Sequence, residues 1–150
     1  MSKFRAIALL LVVITSLVPV KASAEEQTAV DKVVVQVDEN DPKIMNLALN
    51  NVQNLLAYEK QNGKKVQVEI VTYGPGLNML RADTSPVKDR ISALALENPD
   101  IQFSACGNTL EGMTKHEGKK PPLVSEAKLV PAGIARIVEL EKQGYAYIRP

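Results

Sequence analysis

The chain reads as an α/β domain built on a mainly parallel sheet. Short runs rich in β-branched residues alternate with segments of helical spacing. Glycine, proline and asparagine punctuate the joins, which gives each element a start and a stop. Five strands are predicted, at residues 32–37, 66–73, 101–105, 127–130 and 145–148.

Residues 1–24 carry the marks of a secretory signal peptide. Lys3 and Arg5 give a basic start, residues 6–20 are almost unbroken apolar, and Ala22-Ser23-Ala24 supplies the small-x-small pattern of a cleavage site. The apolar run is shorter than the roughly 20 residues that span a bilayer as a helix. A periplasmic or secreted protein is therefore expected, with residues 25–150 as one mature domain and no membrane contact after cleavage. No cysteine adjoins the cleavage site, so a lipid anchor has no support.

Residues 25–31 form a polar lead-in. KVVVQV, at 32–37, suits a central strand covered on both faces. The helix after it is well signalled, with Asp41 to cap it, Pro42 at its first position and Gly63 just past its end. Ile44, Leu47, Ala48, Val52, Leu55 and Tyr58 recur at helical spacing as its predicted buried face, with Asn51 inside that stripe. VQVEIVTY, at 66–73, is the second strand. Gly74-Pro75-Gly76 stops it, and residues 77–80 are expected to make one helical turn. Ser85 and Pro86 signal a further helix whose buried side is Val87, Ile91, Leu94 and Ala95, ended by Asn98-Pro99. The third strand, 101–105, delivers Cys106. Asn108-Thr109-Leu110-Glu111 resembles a capping box, so a helix is expected to begin near Asn108 and to stop at Gly118. GKKPPLVS, at 118–125, is a loop by composition. After a weak fourth strand, Pro131-Ala132-Gly133 leads into a last helix that carries Ile134, Ile137 and Val138 and closes at Gly144. Right-handed crossovers then give a three-layer, flavodoxin-like domain with helices on both faces of the sheet.

Charge and composition narrow the function. The chain has 18 basic and 17 acidic residues. The leader holds Lys3, Arg5 and Lys21 and no acidic residue, so the mature domain is slightly acidic. That balance gives no electrostatic case for nucleic acid or an anionic membrane. One histidine, one cysteine and scattered carboxylates have no metal-ligand spacing, and no nucleotide fingerprint is present, so neither a metal nor a cofactor is expected.

Sheets of this class gather ligands at the C-terminal ends of their strands. Three features share that edge: the turn at residues 38–41, the Gly74-Pro75-Gly76 loop and Cys106-Gly107-Asn108. Cys106 is the only cysteine and cannot close an internal disulfide. At a strand-to-helix junction, unpaired N–H groups and the positive end of the helix dipole favour thiolate over thiol. Cys106 is thus a candidate nucleophile or carrier of persulfide sulfur, and the competing reading is a small core residue. Gly107 would let a substrate approach the backbone, and amides near Asn108 and Thr109 would hold an anion. Gly74 and Gly76 would either cradle an anion or form a plain turn. Asn51 would either orient these loops or be an ordinary buried asparagine. His116 stands near the far end of the helix after Cys106 and is expected on the surface. With no second cysteine or nearby histidine, a carrier working with an outside partner fits better than a self-contained enzyme.

Four segments, in order, resemble the exported single-domain branch of the DsrE/DsrF-like family. They are LALNNVQNLL at 47–56, VTYGPGLNML at 71–80, FSACGNTL at 103–110 and VPAGIARIVELEKQGYAYIRP at 130–150. The resemblance implies a flavodoxin-like fold, a homo-oligomer (trimer or hexamer) and transfer of persulfide sulfur to or from a donor or acceptor protein. It makes Cys106 the residue that would hold the sulfur. The alternative is a non-catalytic small-ligand-binding or scaffold module with a structural cysteine.

Overall fold

The computed structural model describes residues 30–150, and the predicted signal peptide lies outside them. Strands β1 (Asp31–Val37), β2 (Val66–Thr72), β3 (Ile101–Cys106), β4 (Ala127–Val130) and β5 (Ala146–Ile148) form one sheet in the order β4-β3-β2-β1-β5. Every strand pair is parallel. Helices α1 (Pro42–Gln61), α2 (Lys88–Glu97), α3 (Gly107–Glu117) and α4 (Gly133–Lys142) make the connections, with a 3₁₀ segment at Gly74–Leu80. The arrangement is flavodoxin-like.

The helices divide unequally between the two faces. α1, α2 and α3 bring Met45, Leu49, Val52, Ile91, Leu94 and Leu110 against Val35, Val37, Ile70 and Phe103. α4 alone covers the other face among the described residues, with Ile137 and Leu140 over Val34 and Val71. Alternation along β1 therefore sends hydrophobic side chains to both sides, which is why its sequence reads as a continuous apolar run. Where α4 does not reach, its face of the sheet turns polar. Lys128 donates to Gln102 there, and Gln102 to Ser104.

The ends of α1 follow the sequence signals. The Asp41 carboxylate accepts from the Lys43 amide at 2.7 Å, Pro42 is the first helical residue, and Gly63 beyond the end has φ +69°. Its buried face is rotated from the predicted one. Met45, Ala48, Leu49, Val52 and Glu59 are buried, whereas Leu47, Asn51 and Tyr58 are exposed. The apolar arc of α1 is wider than the strip of sheet beneath it, and the excess faces the β5 edge. An apolar groove of about 270 Å³ remains open there, lined by Val33, Val35, Val52, Leu55 and Ile148.

Glu59 closes the buried face of α1, and its Oε2 has no hydrogen-bond partner among the described residues. Removing an unpaired buried carboxylate oxygen recovers its desolvation cost. Glu59→Met is expected to stabilise the protein by about 1 kcal/mol and to raise Tm by a few degrees. A lower Tm would mean that the carboxylate has a partner.

Two helix starts differ from expectation. α2 begins at Lys88 with Val87 at its N-cap. The Ser85 hydroxyl accepts from the Val87 amide at 3.2 Å and donates to the Met79 carbonyl at 2.6 Å, so Ser85 closes a turn and ties it to the 3₁₀ segment. α3 begins at Gly107, and Cys106 itself is its N-cap. Asn108 is therefore inside the helix, no capping box forms, and Glu111 pairs with Lys115 at 2.7 Å. Gly118, with φ +70°, ends α3 as predicted.

Candidate functional site

Topology concentrates the site at one junction. The connections after β1, β2 and β3 run over one face of the sheet, and the connection after β4 runs over the other. The C-terminal ends of β3 and β4 are thus neighbours whose chains part to opposite faces, the position where such sheets open a ligand crevice. Cys106 and Val130 are paired at those ends. α3 starts immediately after Cys106, and α4 starts three residues after Val130. Two helix N-termini therefore converge on one thiol.

Cys106 is 5% exposed. Burial pushes its thiol up, but hydrogen bonds from the Thr109 hydroxyl and from the amides of Thr109, Gly133 and Asn108 outweigh burial, so the thiol lies below its ordinary value. Thr109 also accepts from the Gly74 amide at 2.9 Å through Oγ1, which leaves its own proton free for the sulfur. From the sequence, only the amide of Thr109 is an expected donor. Its hydroxyl is reachable by spacing, because the third residue of a helix faces its N-cap. Gly133 comes from a distant segment, and no local signal announces it.

The lowered thiol links stability to pH. Its folded value is depressed, so the thiolate favours the fold fully above the unfolded pKa of about 8.5 and loses that contribution as pH falls through the folded value. The stability difference between wild type and Cys106→Ser, from urea denaturation, is expected to grow as pH rises toward about 8.5. A difference that stays flat with pH would mean an unperturbed thiol.

Gly107 and Gly76 lie where backbone segments approach closely. A Cβ on Gly107 would lie 3.0 Å from the Val130 carbonyl oxygen and 3.2 Å from that of Pro131, because the β4–α4 link crosses the first turn of α3. The Asn108 amide donates to the same Pro131 carbonyl at 3.2 Å. A Cβ on Gly76 would lie 2.3 Å from the Val37 carbonyl oxygen, and the Gly76 amide donates to the Asp38 carbonyl at 3.1 Å. The amides of Gly74 and Gly76 are both used within the protein, so this loop is a packed turn.

Cys106, Gly107, Asn108 and Gly74 are brought together, and Gly76 joins them through the end of β1. Asn51 is not. It lies midway along α1 at the apolar groove beside β5. His116 is exposed in the last turn of α3. Tyr73 also belongs to the site, with no sequence signal to mark it. Its ring packs on Gly133, where a Cβ would come within 3.0 Å of it. Burial first, then Asp38 and Tyr147, hold its phenol above the ordinary value against the opposing Arg149. Arg149, just past β5, pairs with Asp38 at 3.4 Å and Glu39 at 3.2 Å, so it offsets part of the acidic charge of the turn after β1. Among the described residues no group of three or more His, Cys, Asp or Glu is placed to hold a metal ion. No described helix is long and apolar enough to cross a membrane.

No family model matches the chain, and no curated protein matches it. Among solved structures it is similar to a protein of unknown function from Methanobacterium thermoautotrophicum. The two are 34% identical over 80% of this chain and 99% of that one, with a TM-score of 0.68. The chain belongs to that protein's family. The shared part is the flavodoxin-like domain, and it takes in nearly the whole of the Methanobacterium protein.

Proposed function

We propose that this protein is an exported, DsrE/DsrF-like sulfur carrier in which Cys106 accepts one sulfane sulfur and passes it to a partner thiol. The observation that supports this reading is the placement of Cys106 at the N-cap of α3, beside the start of α4, with its thiol held below the ordinary value by the donors around it. Those donors suit a thiolate, which is the nucleophilic form. In the loading step the Cys106 thiolate attacks the terminal sulfur of a donor persulfide. A new S–S bond forms, the donor's S–S bond breaks, and the donor leaves as a thiolate. The transferred sulfur keeps its hydrogen, so Cys106 becomes a persulfide with no net oxidation and no cofactor. Delivery is the same exchange in reverse, with an acceptor thiolate attacking the outer sulfur. The protein works as a homo-oligomer, a trimer or hexamer, a reading supported by the apolar side chains Leu47, Tyr58 and Ile148 left exposed along α1 and β5.

Incubating the mature protein with a low-molecular-weight persulfide and weighing it tests the reading. A gain of one sulfur atom, absent from Cys106→Ser, is expected. No adduct, or an equal adduct on the variant, overturns it.

The burial of Cys106 within the main core favours a second reading, a ligand-binding or scaffold module with a structural cysteine. That reading predicts alkylation of the thiol only after denaturation. The carrier reading predicts alkylation of the folded protein.

A further inference from the structure

Glu69 stands in the middle of β2 on the α4 face and is 2% exposed. Arg136, in the first turn of α4, forks it, with Nε donating to Oε1 at 2.8 Å and Nη2 to Oε2 at 2.7 Å. The Ser104 hydroxyl donates to Oε1 at 2.6 Å. Sulfur transfer at Cys106 has no direct use for this network, yet the network joins the two elements that meet at the thiol. Ser104 lies two residues before Cys106 on β3. Arg136 lies three residues after Gly133, and its own amide closes the first turn of α4 on the Ala132 carbonyl at 3.0 Å.

Apart from this network, α4 is held by the Tyr73 ring against Gly133 and by a few apolar side chains. Of its large apolar side chains Ile137 and Leu140 are buried, while Ile134 and Val138 are 55% and 42% exposed. Apolar contacts resist removal of the helix from the sheet more than they resist its sliding or turning. A bidentate fork fixes both, because the guanidinium and carboxylate planes must coincide. At the far end of the same short path, the Asn108 amide on the Pro131 carbonyl pins the β4–α4 link to the first turn of α3.

We infer that the Arg136–Glu69–Ser104 network is a positioning device for Cys106, holding the first turn of α4 in fixed register with the end of β3. These are positioning residues, since they act through Gly133 and never touch the sulfur. The inference rests on the reading of Cys106 as the reacting atom.

The test is the pH dependence of Cys106 alkylation by iodoacetamide in the folded full-length protein. Arg136→Lys keeps the charge and loses the fork. It is expected to raise the alkylation midpoint by half a unit or more, about threefold less thiolate at pH 7. Glu69→Leu/Arg136→Leu leaves no unpaired buried charge, so it folds where a single variant fails, and the same shift is expected of it. Leu94→Ala, a core truncation in α2 away from the site, is expected to lower stability and keep the wild-type midpoint. Wild-type midpoints in Arg136→Lys and in the double variant would make the network a structural tie and overturn the inference. Failure of the carrier reading looks different. A wild type that takes no sulfur from the donor, while the network variants still shift the midpoint, sinks the carrier and leaves the positioning intact.

Discussion

Gly76→Ala is expected to lose about 3 kcal/mol or more of stability, the upper end of overpacking costs. The added Cβ would lie 2.3 Å from the Val37 carbonyl oxygen, 2.6 Å from its carbon and 2.7 Å from the Asp38 Cα. All three neighbours are backbone atoms, so no side chain can rotate away. They also belong to the end of a central strand. Val37 is in register with Thr72 across the β1–β2 ladder, and its carbonyl accepts from the Tyr73 amide at 3.3 Å. Relief of the clash must therefore open the ladder or lift the 3₁₀ segment. Either movement reaches Gly74, whose amide donates to the hydroxyl of Thr109 in the first turn of α3. Gly112→Ala is the matched comparison. Nothing lies within 4 Å of its added Cβ, it is inside α3, and helix propensity alone favours alanine by about 0.5–1 kcal/mol. Urea denaturation of the two variants is expected to give opposite signs. A Gly76→Ala protein within about 1 kcal/mol of wild type would contradict the close approach.

That glycine also shows what the sequence can and cannot report. Gly74-Pro75-Gly76 marks a place where backbone passes close to something, without saying whether that something is an anion or another strand. Only the register of β1 beneath it decides for the strand. Locally encoded features were legible: Asp41 and Pro42 at the start of α1, Gly118 and Gly144 with positive φ after α3 and α4, and Cys106 at a strand-to-helix junction. The buried face of α1 was not. Its apolar arc is broad, and a helical period gives the width of an arc but not which part of it meets the sheet. The same limit hid half of the site. Ser104 and Arg136 lie 35 and 67 positions from Glu69, and nothing local marks the three as partners. They meet because β2 and β3 are neighbours and α4 returns over the opposite face, an arrangement set by the tertiary fold and by no local run of residues.

Arg136→Met puts that non-local network to an energetic test, and it is expected to cost about 3 kcal/mol. The loss is dominated by what remains and not by the attraction removed. Glu69 would keep the Ser104 hydroxyl on one oxygen and would have no cation, in a position where its side chain is 3% exposed. Glu139 is nearby but acidic, and Lys128 is engaged with Gln102, so neither replaces the guanidinium. The Arg136 side chain is itself 25% exposed, and solvent screening keeps the expected cost at the low end for a buried pair. Removing both charges is a different matter. In Glu69→Leu/Arg136→Met the carboxylate no longer has to be desolvated, and the two apolar side chains extend the small cluster of Val34, Val71, Ile137 and Leu140. The double variant is expected within about 1 kcal/mol of wild type in urea denaturation. Equal losses in the single and double variants would mean that the pair contributes through its own attraction and not through the avoidance of an unpaired charge. The near-neutral double variant also has a consequence for function. If apolar residues can seat α4 as firmly as the ion pair does, then the fork's distinct contribution is direction, because leucine and methionine can hold a helix on a sheet without fixing where its first turn points. That first turn carries Gly133, so stability and the ionisation of Cys106 are expected to separate in the same protein.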